Sequence, residues 1–162
     1  MIITMDPGLI SFGADYLIIF IVIIALAYFI RQPKKIRGSI LTFSLLTLSL
    51  TFLVAKSVGY FYFDPRPFVV GHFRPIIPHI PDNGFPSDHM LLSSAVAAIL
   101  YYYNRKISVV IWFLAFIVGS SRVYAGVHHW IDIGGSALVS LVVAFMINQY
   151  LKPGENHMAD KG

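Results

Sequence analysis

Five apolar runs stand out from polar, proline-bearing connections along the chain, over residues 16–30, 39–63, 90–103, 107–121 and 133–151. A helix that crosses a hydrocarbon core needs about 20 apolar residues, so these runs predict membrane-spanning helices with short connections. The third and fourth are short for a core of about 30 Å, which predicts that their ends borrow flanking polar residues buried in protein. Residues 1–13 carry Pro7, Gly8 and Gly13 and are expected to form a short interfacial segment rather than a further span. The tail from Lys152 onward, with Pro153 and Gly154 before a polar end, is expected to fray. Asp6 precedes the first apolar run and no basic stretch leads it, so that run is expected to stay as a helix rather than be cleaved as a signal peptide.

Composition agrees with a bilayer solvent. Of 162 residues, 57% are hydrophobic and 12% charged, too apolar for an ordinary soluble domain. The expected architecture is all-α: one domain over residues 1–162, a polytopic helix bundle of about five transmembrane helices. With no cysteine in the chain, disulfides, zinc-thiolate sites, iron-sulfur clusters and thiol nucleophiles are excluded. The net charge of +4 does not call for nucleic acid as a partner, because basic loops are normal in an inner-membrane protein.

Those basic residues set a topology. Arg31, Lys34, Lys35 and Arg37 follow the first run, Arg105 and Lys106 the third, and Lys152 and Lys161 the fifth, so eight of the twelve basic residues fall on one side. The positive-inside rule makes that side cytoplasmic, with the N-terminus outside and the C-terminus inside. The remaining four, Lys56, Arg66, Arg74 and Arg122, fall on the outer side together with nearly all the histidines, in residues 56–89 and 121–132. Polar groups of this kind are costly near a membrane and mark function. Six prolines, from Pro65 to Pro86, forbid a continuous helix in the first segment and predict a structured outer loop. In the second, His128 and Asp132 are four residues apart and would share a helix face.

Three patterns within these segments resemble the signature of the type 2 phosphatidic acid phosphatase (PAP2) superfamily, K-x6-RP, PSGH and SR-x5-H-x3-D. The third is complete in Ser121, Arg122, His128 and Asp132. The second reads Pro86-Ser87-Asp88-His89, with aspartate in the glycine position. The first has Arg66 and Pro67, but Lys56 lies ten residues before Arg66 instead of seven, about 4.5 Å further along a helix. The PSDH variant, with DPRPFVVGH and IPHIPDNGFPSDH, resembles the bacterial undecaprenyl-pyrophosphate phosphatases linked to bacitracin resistance. That family usually has six spans, so the resemblance implies one N-terminal helix fewer here. It also implies a PAP2/haloperoxidase-like core, a lipid phosphate as substrate, and no metal or cofactor. His128 would attack phosphorus, Asp132 would fix its tautomer, and His89 would protonate the leaving oxygen.

Elementary chemistry points the same way. Phosphoryl transfer needs spread negative charge neutralised, an in-line nucleophile and a protonated leaving group. Arg66 and Arg122 can form bidentate clamps, and Ser87 at a helix N-terminus can hold phosphate oxygens. Asp88 would repel a phosphate and is expected to cap the helix or pair with an arginine. Lys56 divides between phosphate contact and a snorkelling end-of-helix lysine. Arg74, His72 and His79 divide between contact with a distal phosphate and solvated loop positions. His129 and Trp130 read as structural, Asp64 and Asp82 as turn residues, and residues 60–63 as an aromatic anchor. A metal site of His128, His129 and carboxylates lacks any further ligand motif.

The expected activity is removal of a phosphate from undecaprenyl pyrophosphate at the outer membrane face. Phosphatidylglycerophosphate and phosphatidic acid remain open within the same chemistry. Two other classes stand beside it, a vanadate-dependent oxidative enzyme and a non-catalytic membrane scaffold; high hydropathy opposes the first, and polar groups gathered at one face oppose the second.

Overall fold

The computed structural model describes residues 6–151. Among them the chain is helical without strands, in the order α1 (Pro7–Asp15), α2 (Leu17–Ile30), α3 (Lys34–Phe61), α4 (Pro67–Val70), α5 (Asp88–Tyr101), α6 (Arg105–Tyr124) and α7 (Trp130–Leu151). Among the described residues, four segments are long and apolar enough to cross a membrane: Pro7–Ile30, α3, α6 and α7. The fifth, α5, has 14 residues, about 21 Å at 1.5 Å per residue. It is the central helix, packed against α2, α3, α6 and α7 and buried along most of Met90 to Leu100, with Asp88 and Tyr101 at its ends exposed.

The fourth run borrows flanking residues as expected: α6 has 20 residues and takes in Arg122, which is buried, beyond the apolar run. One expectation needs correction: residues 7–13 are not an interfacial segment, since Pro7–Ile30 is one of the four candidate spans. Pro7 occupies the first helical turn, where its missing N–H is no loss, and the Asp6 carboxylate accepts from the Gly8 N–H at 2.8 Å. The helix so begun continues with only a local irregularity at Tyr16 into α2, and α1 packs on α6. Gly13 permits that approach, because a Cβ there would strike the Ser121 side chain. Residues 1–5 and the tail from Lys152 lie outside the described residues.

Lipid offers no hydrophobic drive between helices, so close packing and hydroxyl bonds hold the bundle. Along α7, Ser136, Ser140 and Ala144 recur every four residues as a buried stripe facing α5, whose Ser93, Ser94, Ala97 and Ala98 are also buried. Ser94 donates to Ser140 at 2.9 Å, and Ser140 reaches the Leu91 carbonyl at 3.1 Å. Large apolar side chains such as Leu53, Phe113 and Phe145 remain on the outside, as a lipid-facing surface requires.

Because the spans alternate in direction, the start of α1, the end of α3, the start of α5, the end of α6 and the start of α7 meet at one end of the bundle. The loops bearing Arg31 to Arg37 and Arg105 with Lys106 lie at the other. The connection from Tyr62 to Ser87, containing α4, roofs the first end. There Ile77 packs with Ile10, Ala14, Ala125 and Val127.

Candidate active site

The turn after α6 decides where the candidate nucleophile sits. Gly126 has φ +81°, and its N–H reaches the Val123 carbonyl at 2.9 Å while the Val127 N–H reaches that of Arg122 at 3.2 Å. This is a Schellman ending, which turns the chain sharply and delivers His128 in front of α7. His128 is 2% exposed. Asp132, in the first turn of α7, reaches back to accept the His129 N–H at 2.9 Å, half of a capping box. The same Oδ2 lies 3.4 Å from His128 Nδ1, a long contact that leaves Nδ1 without a well-formed hydrogen bond.

On the far side of the imidazole, Arg66 Nη1 lies 3.4 Å from His128 Nε2 and donates to the Val127 carbonyl at 2.7 Å. Arg66 is itself fixed by Asp82, its Nε donating at 2.6 Å. The proline on each side of Arg66 keeps it out of a helix, and it is 5% exposed. With the proton on Nδ1, facing Asp132, Nε2 presents its lone pair into the site, the tautomer a nucleophile needs. Burial, more than its arginine neighbours, pushes the His128 pKa below the ordinary 6.5, while Asp132 opposes this.

Arg122, on the last turn of α6, forms the second cationic post. Its Nη1 meets Asp15 Oδ1 at 3.0 Å, and its Nη2 lies 3.1 Å from His79 Nε2. Its Nε has no partner. The His79 ring stands edge-on to the His128 ring, 6.2 Å between centroids. His89, second residue of α5 and half-buried, lies within electrostatic range of Arg122, Asp15 and His128.

His128, His89, Asp132, Arg66, Arg122 and His79 are therefore brought together. The other expected residues are not all so placed. Ser87 is the N-cap of α5, but its N–H donates to Ser136 at 3.0 Å and its hydroxyl is buried without a partner. Asp88 neither caps the helix nor pairs with an arginine. It pairs with Lys56 at 2.9 Å, which draws the Lys56 ammonium to a carboxylate instead of into the site. Arg74 is exposed in the roof loop and shares no hydrogen bond or ion pair with the site, and His72 is exposed with φ +51°.

Three carboxylates have roles that the sequence reading missed. Asp15 and Asp82 hold the two arginines, and Asp64, read as a turn residue, accepts from His129 Nδ1 at 2.9 Å. Asp15 had a signal, as an ionisable residue in an otherwise apolar helix. The ligand atoms of Asp64, His129 and Asp132 lie within 4.8 Å of one another, so this trio is where a cation could bind.

Known proteins are similar to this chain in sequence and in fold. The PAP2 superfamily profile matches residues 16–154. Undecaprenyl-diphosphatase BcrC of Bacillus subtilis (strain 168) is 29% identical over 139 residues, 86% of this chain and 72% of that protein. The bacitracin transport permease protein BcrC of Bacillus licheniformis is 26% identical over 137 residues, covering 84% and 67%. Among solved structures, LpxE of Aquifex aeolicus shares the fold, with a TM-score of 0.66 at 23% identity over 88% of this chain and 82% of its own. A transmembrane PAP2-type phosphatidylglycerolphosphate phosphatase from Bacillus subtilis has a TM-score of 0.61 at 26% identity, covering 88% and 73%. The fold, the spans and these matches lead to one assignment: the chain belongs to the PAP2 superfamily and is a multi-pass membrane phosphatase.

Proposed function

We propose that this phosphatase removes the terminal phosphate of undecaprenyl pyrophosphate through a phosphohistidine on His128, at the extracytoplasmic face of the membrane. The observation that carries this is the setting of His128: Nδ1 toward Asp132, Nε2 toward Arg66, with Arg122 close by.

The terminal phosphate displaces Arg66 from Nε2, and its oxygens take the N–H groups of Arg66 and Arg122. His128 Nε2 attacks phosphorus, and the bond from phosphorus to the bridging oxygen breaks. His89 gives its proton to that oxygen, so the lipid monophosphate leaves. Asp132 supports the positive charge on the imidazole. Water then gives a proton to His89 and attacks phosphorus; the P–N bond breaks and inorganic phosphate departs, with both histidines restored. No metal or cofactor enters the scheme.

The lipid tail has room beside the site. An apolar groove of about 370 Å³ between α3 and α5, lined by Leu48, Phe52, Leu91 and Leu92, begins at Asp88, next to His89. The basic loops at the opposite end favour an outward-facing site and a cytoplasmic C-terminus. The similarity to undecaprenyl-diphosphatase BcrC supports the diphosphate, while the likeness to a phosphatidylglycerolphosphate phosphatase keeps that monoester as a second reading. Phosphate release by purified protein in detergent from undecaprenyl pyrophosphate, phosphatidylglycerophosphate and phosphatidic acid separates them, with His128→Ala as reference. Faster release from the pyrophosphate supports the first reading and faster release from the glycerol lipid the second. Equal release by protein and variant would overturn both.

A further inference from the structure

His79 belongs to none of the three signature segments, yet it stands inside the site. Its hydrogen bonds conflict in an informative way. Nδ1 accepts the Ile80 N–H at 3.1 Å, which puts the proton of a neutral ring on Nε2. Nε2 faces Arg122 Nη2 at 3.1 Å, and a guanidinium has only donors. Two donors thus meet at hydrogen-bond distance with no acceptor between them. The other tautomer moves the clash to Ile80. Protonation makes both nitrogens donors and adds a charge beside Arg122, so no state of the ring satisfies all its neighbours.

An oxyanion resolves this, since one phosphate oxygen between His79 Nε2 and Arg122 Nη2 accepts from both. The position suits it, with the His128 ring 6.2 Å away. Of the two cations in the first signature segment, Arg66 stands in the site, while Asp88 holds the Lys56 ammonium. Taking the phosphatase reading above as its basis, we infer that His79 is a phosphate-binding residue. Its Nε2–H, with Arg122, holds the phosphoryl group that His128 attacks. The charged and titratable groups facing it are Arg66, Arg122, His128 and Asp82. Burial and then the two arginines hold its pKa down to about 4, so at neutral pH it adds a donor without adding charge.

The test is calorimetric binding of inorganic phosphate at pH 7 to the detergent-solubilised full chain, alongside its hydrolysis of undecaprenyl pyrophosphate. His79→Ala is expected to weaken phosphate binding about tenfold or more, the loss of one hydrogen bond to a charged group. His79→Gln, whose side-chain N–H reaches the position of Nε2, is expected to bind within about threefold of the parent, and His79→Asn, too short, to resemble alanine. In hydrolysis His79→Ala should raise KM more than it lowers kcat. Unchanged phosphate affinity in a folded His79→Ala protein overturns the inference; if that variant does not fold, equal affinity of the glutamine and asparagine variants does so. Should the parent bind phosphate but leave the lipid untouched, the substrate reading fails while the comparison of variants still decides the role of His79.

Discussion

Lys56 and Asp88 form an ion pair 2.9 Å long, and they are the two positions at which the chain departs from the PAP2 signature. The lysine is displaced by three residues and the glycine is replaced by a carboxylate, and each departure answers the other. A carboxylate at the mouth of a phosphate site is tolerable when a cation neutralises it, and the pair leaves no net charge there. The side chains are 44% and 62% exposed, so the pair contributes at most about 1 kcal/mol to stability. Lys56→Met is expected to lower kcat/KM by less than about threefold, against about a hundredfold for Arg122→Ala. Steady-state kinetics on the lipid substrate checks this, and a hundredfold loss for Lys56→Met would mean that the lysine leaves Asp88 during turnover.

Both arginines are held by carboxylates before any phosphate arrives. Asp15 on α1 takes Nη1 of Arg122, and Asp82 in the roof loop takes Nε of Arg66. The planar fork can do this and still present N–H groups to an anion, whereas an ammonium can only be a point charge. Arg122→Lys is therefore expected to lose about a hundredfold in kcat/KM despite keeping its charge. Asp15→Asn, which retains an acceptor but not the charge, is expected to lose about tenfold. Activity of Arg122→Lys near that of the parent would show that charge alone suffices.

The helices were legible in their apolar runs; their ends were not, because a polar residue joins a helix end where the fold buries it, as with Arg122, or pairs it, as with Asp88. Arg122 belongs to α6, and Asp88 and His89 belong to α5, although each lies beyond the apolar run. Pro7, Gly8 and Gly13 read as signs of an irregular segment, but one starts the helix and another lets α1 lie against Ser121. In the site, the four-residue spacing brings His128 near Asp132, but not on a shared helix face: His128 precedes α7, and Asp132 reaches back to it from the first turn. Pairing across the chain was not legible: Asp15 and Arg122 are separated by 107 positions, and only the fold makes them neighbours.

The Asp64, His129 and Asp132 cluster reaches His128, the proposed nucleophile, through Asp132. Asp64 orients the His129 ring, and the His129 N–H and His128 share one oxygen of Asp132. Asp132→Asn is expected to lower kcat by about 10³-fold or more, since an amide can present its N–H to Nδ1 and reverse the tautomer. His129→Gln should lose no more than about tenfold, because the backbone N–H to Asp132 survives. Because the chemistry proposed needs no metal, a chelator should leave the rate within about twofold. A larger loss, restored by a divalent cation and abolished in Asp64→Asn, would place an ion in this cluster.

Among the histidines of the site, half-buried His79 and buried His128 lie in the connections outside the spans and give stability a definite pH dependence. Burial first, and Arg66 and Arg122 next, push the His79 pKa from the ordinary 6.5 down to about 4, and burial lowers that of His128 as well. A group whose folded pKa is lowered binds fewer protons folded than unfolded between the two values. Stability from these histidines is therefore complete above about pH 6.5 and declines as pH falls toward 4. Melting temperature in detergent should be flat from pH 8 to about 7 and fall steadily below about 6.5. His79→Gln removes one such group and should make that fall shallower. Added inorganic phosphate should flatten it further in the parent than in the glutamine variant, because an anion at Arg122 lowers the penalty for charging His79. A profile unchanged by His79→Gln would mean that the ring already charges freely in the folded protein, with the site open to water around it.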